Sequence, residues 1–153
     1  MRASGSMLWS GCRYGFGDAD DRLGLAFSYS GCDRMKALGI LVVEDDALIG
    51  RLMVDVLSCL GHVATVASSE DAAVVAAARC LPDLMIVDVG LGNGSGLVAI
   101  DRILGAGPMP HFFVSGDPSK VWSARPHAVV LQKPFRQRDL AQAIARVIED
   151  TGP

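Results

Sequence analysis

The fold is decided by the stretch LGILVVEDD, which occupies residues 38–46. Its first six residues are apolar or glycine, as in a strand that is buried on both faces. Three acids follow directly, and the last of them, Asp46, stands where a helix with apolar residues three and four positions apart would begin. A buried strand that leads into a capped amphipathic helix is typical of a parallel sheet covered by helices.

The same alternation of apolar runs and amphipathic segments continues to the end of the chain. Ser68 or Ser69 can cap the second helix, residues 118–125 allow only a brief fourth helix, and the last helix begins near Arg136. Strands are predicted at residues 38–43, 62–66, 84–88, 111–115 and 128–132. We therefore predict an α/β fold, a doubly wound, five-stranded parallel sheet of order 2-1-3-4-5 with flavodoxin-like topology.

The beginning of the chain has a different composition. Residues 1–34 hold six of the 17 glycines and five of the nine aromatic residues, without helical or strand periodicity. We predict a poorly ordered extension over residues 1–35, followed by one domain over residues 36–150. Met35 is the expected physiological start, and the extension would then be a gene-calling artefact or a dispensable tail.

Charge and cysteine usage exclude several classes of protein. The 14 basic and 17 acidic residues give a net charge of −3, so there is no global positive field for nucleic acid or an anionic membrane. The longest apolar run, residues 72–78, is too short to span a membrane. Four scattered cysteines fit neither a zinc site nor a disulfide framework, and Cys59 and Cys80 are expected to be buried free thiols. These features predict a cytoplasmic protein.

Polar residues collect at the carboxyl ends of the predicted strands, where parallel sheets usually carry their function. Glu44 and Asp45 end the first strand and Asp88 ends the third, and these two strands are neighbours in the predicted order. Three carboxylates in one small volume repel one another unless a cation such as Mg²⁺ neutralises them. With Lys133 and the hydroxyl of Ser115 nearby, such a centre can support phosphoryl transfer to an aspartate.

Five segments, taken together and in order, resemble the receiver domain of bacterial two-component response regulators. They are LVVEDD at 41–46, MIVDV at 85–89, the loop that ends at Gly96, VSG at 114–116 and KPF at 133–135. The resemblance covers about residues 37–149 and implies a stand-alone receiver, a phosphorylation-controlled switch rather than an enzyme. It implies a histidine kinase or histidine phosphotransfer protein as donor and an effector protein as output, with no direct binding of nucleic acid or membrane.

The resemblance also implies a role for each site residue. Asp88 would accept the phosphoryl group, and Mg²⁺ would be held by Asp88, Glu44, Asp45 and the carbonyl of Gly90. Lys133 would pair with the phosphoryl group.

After phosphorylation, Ser115 would move toward the phosphoryl group. Asp117 would face the site and influence hydrolysis of the phosphoryl group, and Pro134 suggests a cis peptide bond after Lys133.

The chain departs from the family pattern at three places. Gly92 stands where many receivers have proline, and Val130 stands where many have an aromatic residue, three positions before the lysine. The segment between Ser115 and Lys133 is shorter than in many receivers, which predicts a short or irregular fourth helix.

Other functions remain open at this point. A Mg²⁺-dependent phosphohydrolase with an aspartyl-phosphate intermediate normally has D-x-D after the first strand, whereas this chain has Glu44, Asp45 and Asp46. A degenerate receiver would act only as a binding module. A flavodoxin-like binding module needs a phosphate loop after the first strand, where three acids would repel phosphate.

Overall fold

The computed structural model describes residues 36–151 of the chain. The predicted extension over residues 1–35 therefore lies outside the described residues. The described part contains β1 Gly39–Val43, α1 Ala47–Cys59, β2 Val63–Ala67, α2 Glu70–Cys80, β3 Leu84–Asp88, β4 Gly90–Leu91, β5 Gly94–Ser95, α3 Gly96–Leu104, β6 His111–Ser115, α4 Pro118–Ala124, β7 Val130–Gln132 and α5 Gln137–Asp150. Within this part, no helix has the length and apolar content needed to cross a lipid bilayer.

The main sheet has five parallel strands in the order β2-β1-β3-β6-β7. Strands β4 and β5 form a separate antiparallel hairpin, so the five main strands have the predicted order 2-1-3-4-5. The predicted doubly wound α/β fold is confirmed. The order places the carboxyl ends of β1 and β3 side by side, with β7 beyond β6.

Two apolar layers cover the two faces of the sheet. Alternate residues of β1 point to opposite faces, so Ile40 belongs to one core and Leu41 to the other. The first core contains residues from α1 and α5, and the second contains residues from α2, α3 and α4. Burial on both faces explains why β1 and β3 are continuous apolar runs.

The predicted helix starts depend on side-chain caps that the structure contains. The carboxylate of Asp46 accepts hydrogen bonds from the N–H groups of Leu48, at 2.9 Å, and Ile49, at 3.1 Å. Ser69, one of the two predicted candidates, caps α2 by accepting from the N–H of Ala72. The α1 helix ends just before Gly61, whose φ of +87° favours glycine.

Three local predictions were wrong or incomplete. The last strand begins at Val130 rather than Ala128. The N–H of Ala128 donates to the carbonyl of Arg125 and its carbonyl accepts the indole N–H of Trp122, so Ala128 lies outside the strand ladder. The β4–β5 hairpin was not predicted. Cys59 is exposed rather than buried, since it lies on the outer face of α1, and Cys80 is half-buried.

We expect stability to fall at mildly acidic pH because of His62. This residue is buried, and its Nδ1 accepts the N–H of Leu38 at 3.3 Å. Burial lowers the pKa of His62, so the unfolded chain binds its proton more readily than the folded protein does. The stabilisation is present above the unfolded pKa, about 6.5, and is lost as pH falls through the lower pKa of the folded state.

Urea unfolding at about pH 7.5 and about pH 5.5 measures this loss. The His62→Gln variant should show a smaller loss than wild type, by about 1 kcal/mol, because its amide accepts a hydrogen bond at both pH values. His127 is exposed, so His127→Gln is the matched control and should behave like wild type. An unchanged pH dependence in His62→Gln would contradict the assignment.

Candidate functional site

The candidate site lies at the carboxyl edge of the sheet. The register pairs Val43 with Val87, so Glu44, just after β1, lies beside Asp88 at the end of β3. One oxygen from each of Glu44, Asp45 and Asp88 lies within 4.8 Å of the others. The structure thus brings together the three carboxylates that the sequence analysis placed in one volume.

Lys133 brings a cation to this cluster from the end of β7. Its Nζ lies 2.6 Å from Oδ2 of Asp88 and 3.6 Å from Oε2 of Glu44. Its main-chain N–H donates to the carbonyl of Ser115 at 2.9 Å, and the Lys133–Pro134 peptide bond is cis. Desolvation lowers the pKa of Lys133, but the hydrogen bond and charge of Asp88, aided by Glu44, outweigh it and raise that pKa. Lys133 therefore stays charged and neutralises part of the cluster.

Glu44 is the most enclosed of the carboxylates, with 4% of its surface exposed. Burial, aided by the neighbouring Asp88, raises the pKa of Glu44 to about 7. The N–H of Asp46, which donates to Oε1 at 3.1 Å, and the charge of Lys133 act in the opposite direction. Near neutral pH Glu44 is therefore only partly ionised in the absence of a metal ion.

The β4–β5 hairpin contacts two of the carboxylates through main-chain N–H groups. Gly90 donates to Oδ1 of Asp88 at 3.1 Å, and Gly92 donates to Oδ2 of Asp45 at 2.8 Å. The second contact was not predicted, because no spacing pattern relates residues 47 positions apart. A proline at position 92 would have no N–H and could not form this contact. The use of the Gly90 carbonyl as a metal ligand stays a prediction.

Ser115 lies at the same edge, at the end of β6, and is buried. Its hydroxyl donates to the carbonyl of Asp117 and accepts the N–H of Asp117, both at 3.1 Å. The carboxylate of Asp117 caps α4 by accepting the N–H of Ser119 at 3.2 Å, and its influence on hydrolysis stays a prediction. The Ser119 hydrogen bonds are the main reason that the pKa of Asp117 is lowered. A short chain of contacts thus joins the Ser115 hydroxyl to the start of α4.

The donor set fits a magnesium ion. Mg²⁺ prefers oxygen ligands, is bound by one or two carboxylates and keeps several waters. Glu44, Asp45 and Asp88 supply carboxylate oxygens, and Asp45 is exposed, which leaves room for waters. Since Lys133 is the one side-chain cation within 4.0 Å of these carboxylates among residues 36–151, the cluster retains negative charge for a metal to neutralise.

Apolar side chains border the site on the side of α1. Leu48 and Leu52 are 70% and 55% exposed, and Ile49 is 38% exposed. Ile49 and Phe135 line the same small cavity as Asp88. Ile49 therefore contributes an apolar side chain to the site, and the exposed Leu48 and Leu52 lie on the same helix.

Comparisons with known proteins agree with this geometry. Residues 40–145 match the sequence profile of the response regulator receiver domain. The chain is similar to the receiver domain of the response regulator PhyR from Erythrobacter litoralis, with 28% identity, a TM-score of 0.69, and coverage of 76% of this chain and 95% of that one. It is similar to NtrX from Brucella abortus, with 30% identity, a TM-score of 0.68, and coverage of 74% and 27%.

A curated relative is longer than the segment that it shares with this chain. The chain is 28% identical over 121 residues to protein-glutamate methylesterase/protein-glutamine glutaminase 2 of Anaeromyxobacter dehalogenans. The match covers 75% of this chain and 35% of the relative. The chain thus spans about a third of the length of that protein.

Proposed function

Because this chain belongs to the response regulator receiver domain family, we propose that it is a phosphorylation-controlled switch whose phosphoacceptor is Asp88. The observation that carries the proposal is the meeting of three carboxylates and one lysine at the carboxyl edge of the sheet. A carboxylate nucleophile beside a metal site and a fixed cation has the parts that phosphoryl transfer needs.

In the proposed reaction, a carboxylate oxygen of Asp88 attacks the phosphorus of a phosphohistidine in a kinase or phosphotransfer protein. A P–O bond forms, the P–N bond breaks, and the imidazole keeps the electron pair and takes up a proton. Bound Mg²⁺, held by Glu44, Asp45, Asp88 and the Gly90 carbonyl, would neutralise charge on the phosphoryl oxygens.

The residues of the chain orient the acceptor. The N–H of Gly90 holds one oxygen of Asp88, and Nζ of Lys133 holds the other. Lys133, which already lies 2.6 Å from that carboxylate, would pair with a phosphoryl oxygen once Asp88 is phosphorylated.

We propose that Ser115 couples the site to α4. To donate to a phosphoryl oxygen, its hydroxyl has to leave the backbone of Asp117, which it contacts twice. Asp117 caps α4, so this change alters the start of that helix. An effector protein that binds near α4 would detect the difference.

The proposed phosphodonor docks on the apolar border formed by Leu48, Ile49 and Leu52. These side chains lie in the first two turns of α1, the helix that follows the acidic pair, and they are exposed, which suits contact with an apolar stripe on a partner helix. No separate metabolite is turned over in this scheme, and no contact with nucleic acid or membrane is needed. We place the switch in the cytoplasm, a reducing compartment that suits the free thiol of Cys59.

Phosphoramidate, whose P–N bond resembles that of phosphohistidine, tests the proposal. With Mg²⁺ the protein should acquire one labile phosphoryl group, and a chelator should prevent this. Asp45→Asn should slow labelling by about a hundredfold, since a direct metal ligand is lost, whereas the exposed Asp55→Asn is the matched control.

A labelling rate that changes neither when a chelator removes Mg²⁺ nor in Asp45→Asn would contradict the proposal. Continuous hydrolysis of a small phosphate ester, lost in Asp88→Asn, would favour a phosphohydrolase instead. A folded wild type that binds Mg²⁺ but accepts no phosphoryl group from phosphoramidate or a phosphohistidine protein would indicate a binding module.

A further inference from the structure

The hairpin after the proposed phosphoacceptor holds two of the three carboxylates, so its position matters for the site. Gly90 in β4 contacts Asp88, and Gly92 at the turn contacts Asp45. Strand β4 pairs with β5 through Gly90 and Ser95, which stand opposite each other. A contact that holds Ser95 in place therefore also holds β4, the strand that contains Gly90.

Ser95 is fixed by a side chain from another part of the chain. Oε1 of Glu70, the first residue of α2, accepts the N–H of Ser95 at 2.6 Å. Such a short bond from an amide to a carboxylate is typical of a charge-assisted hydrogen bond. Oε2 of Glu70 lies 4.0 Å from Nη1 of Arg102, a residue of α3 that also pairs with Asp71 at 2.7 Å. Glu70 thus links α2, α3 and the hairpin.

The chain leaves space for this contact at Gly94. A Cβ atom added to Gly94 would lie 2.6 Å from Oε1 of Glu70, closer than real Cβ contacts. Glycine at position 94 lets the carboxylate reach the main chain of the hairpin. The contact therefore depends on two residues that are 24 positions apart and outside the proposed metal and phosphoryl ligands.

We infer that Glu70 is a positioning residue: by holding Ser95, it fixes the β4–β5 hairpin so that Gly90 and Gly92 are held against Asp88 and Asp45. The inference rests on the proposed function, because the arrangement it maintains is that of the proposed Mg²⁺ site. Glu70 acts through the hairpin and does not touch the metal or the phosphoryl group.

Mg²⁺ titration by calorimetry, with amide hydrogen exchange at Ser95 and Gly92, tests the inference on the full chain. Glu70→Ala should weaken Mg²⁺ binding by about tenfold, in the range seen when groups that orient metal ligands are removed. It should also speed exchange at both amides. Glu70→Gln keeps an acceptor oxygen and should restore binding to within about twofold of wild type. Asp71→Ala is the control. It removes the ion pair of Asp71 with Arg102 and leaves the bond from Glu70 to the hairpin in place, so it should bind Mg²⁺ like wild type.

Gly94→Ala disturbs the same contact while Glu70 stays in place. It tests the inference even if Glu70→Ala does not fold. Its Cβ should displace the carboxylate and weaken Mg²⁺ binding to a similar degree. Faster exchange at Ser95 with unchanged Mg²⁺ affinity in Glu70→Ala or Gly94→Ala would overturn the inference, since Glu70 would then have only a structural role. A wild type that binds no Mg²⁺ would overturn the proposed function and this inference with it. Weaker Mg²⁺ binding that is confined to the Glu70→Ala and Gly94→Ala variants supports both.

Discussion

The Lys133→Met variant is expected to bind Mg²⁺ more tightly than wild type and yet to accept a phosphoryl group far more slowly. Nζ of Lys133 lies 2.6 Å from Asp88 and 3.6 Å from Glu44, so its removal makes the site more negative. We expect about tenfold tighter Mg²⁺ binding for the loss of one neighbouring positive charge. Because the phosphoryl group loses a charged partner as it transfers, labelling should slow by about a hundredfold.

Calorimetric Mg²⁺ titration and the rate of labelling by phosphoramidate measure the two effects separately. Lys120→Met is the matched control, because Lys120 is well exposed and lies 4.0 Å from a carboxylate outside the proposed ligands, that of Asp117. It should match wild type in both measurements. Weaker Mg²⁺ binding in Lys133→Met, or an unchanged labelling rate, would contradict the role assigned to this lysine.

Gly96→Ala is expected to destabilise the protein by about 3 kcal/mol. Gly96 begins α3 and is buried, and a Cβ added to it would overlap the backbone carbonyl oxygen of Asp88 and lie 2.7 Å from Cγ1 of Val87. Backbone atoms cannot rotate away as a side chain can, so α3 or the end of β3 has to move. The same movement displaces Asp88, so slower labelling should accompany the loss of stability.

Urea unfolding of Gly96→Ala measures the change in the free energy of unfolding. Gly116→Ala is the control, because a Cβ at that position meets no atom within 4 Å beyond its chain neighbours in the described part of the protein. It should unfold within about 0.5 kcal/mol of wild type. Equal stability of the two variants would show that the close packing of α3 on Asp88 is not needed for the fold.

The fold followed from features that act over short stretches of sequence. Continuous apolar runs such as residues 38–43 identify strands that are buried on both faces, and the carboxylate of Asp46 marks a helix start by a local hydrogen bond. Alternation of strands and helices indicates a parallel sheet, because a helical crossover brings the chain back to start the next strand in the same direction. These local signals identified the strands and helices, whereas the order of the five main strands is one of several that a doubly wound sheet can adopt.

The grouping of the site residues could also be predicted, since polar residues at the ends of neighbouring parallel strands meet at one edge. The contacts that hold them could not. Gly92 lies 47 positions from Asp45, and Ser95 lies 25 from Glu70, and neither pair follows a helical or strand period. The late start of β7 accompanies a hydrogen bond from the indole of Trp122 to the carbonyl of Ala128, a tertiary contact that strand propensity does not contain.

Chemical identification of the phosphorylated residue tests the central claim most directly. After labelling with phosphoramidate and Mg²⁺, borohydride reduces an aspartyl phosphate to homoserine, and peptide mass spectrometry then locates that residue. We predict homoserine at position 88 and none in Asp88→Asn treated in the same way. Homoserine at Asp45 or Asp46, or a stable phosphoryl group on a serine or threonine, would contradict the assignment of Asp88 as the phosphoacceptor.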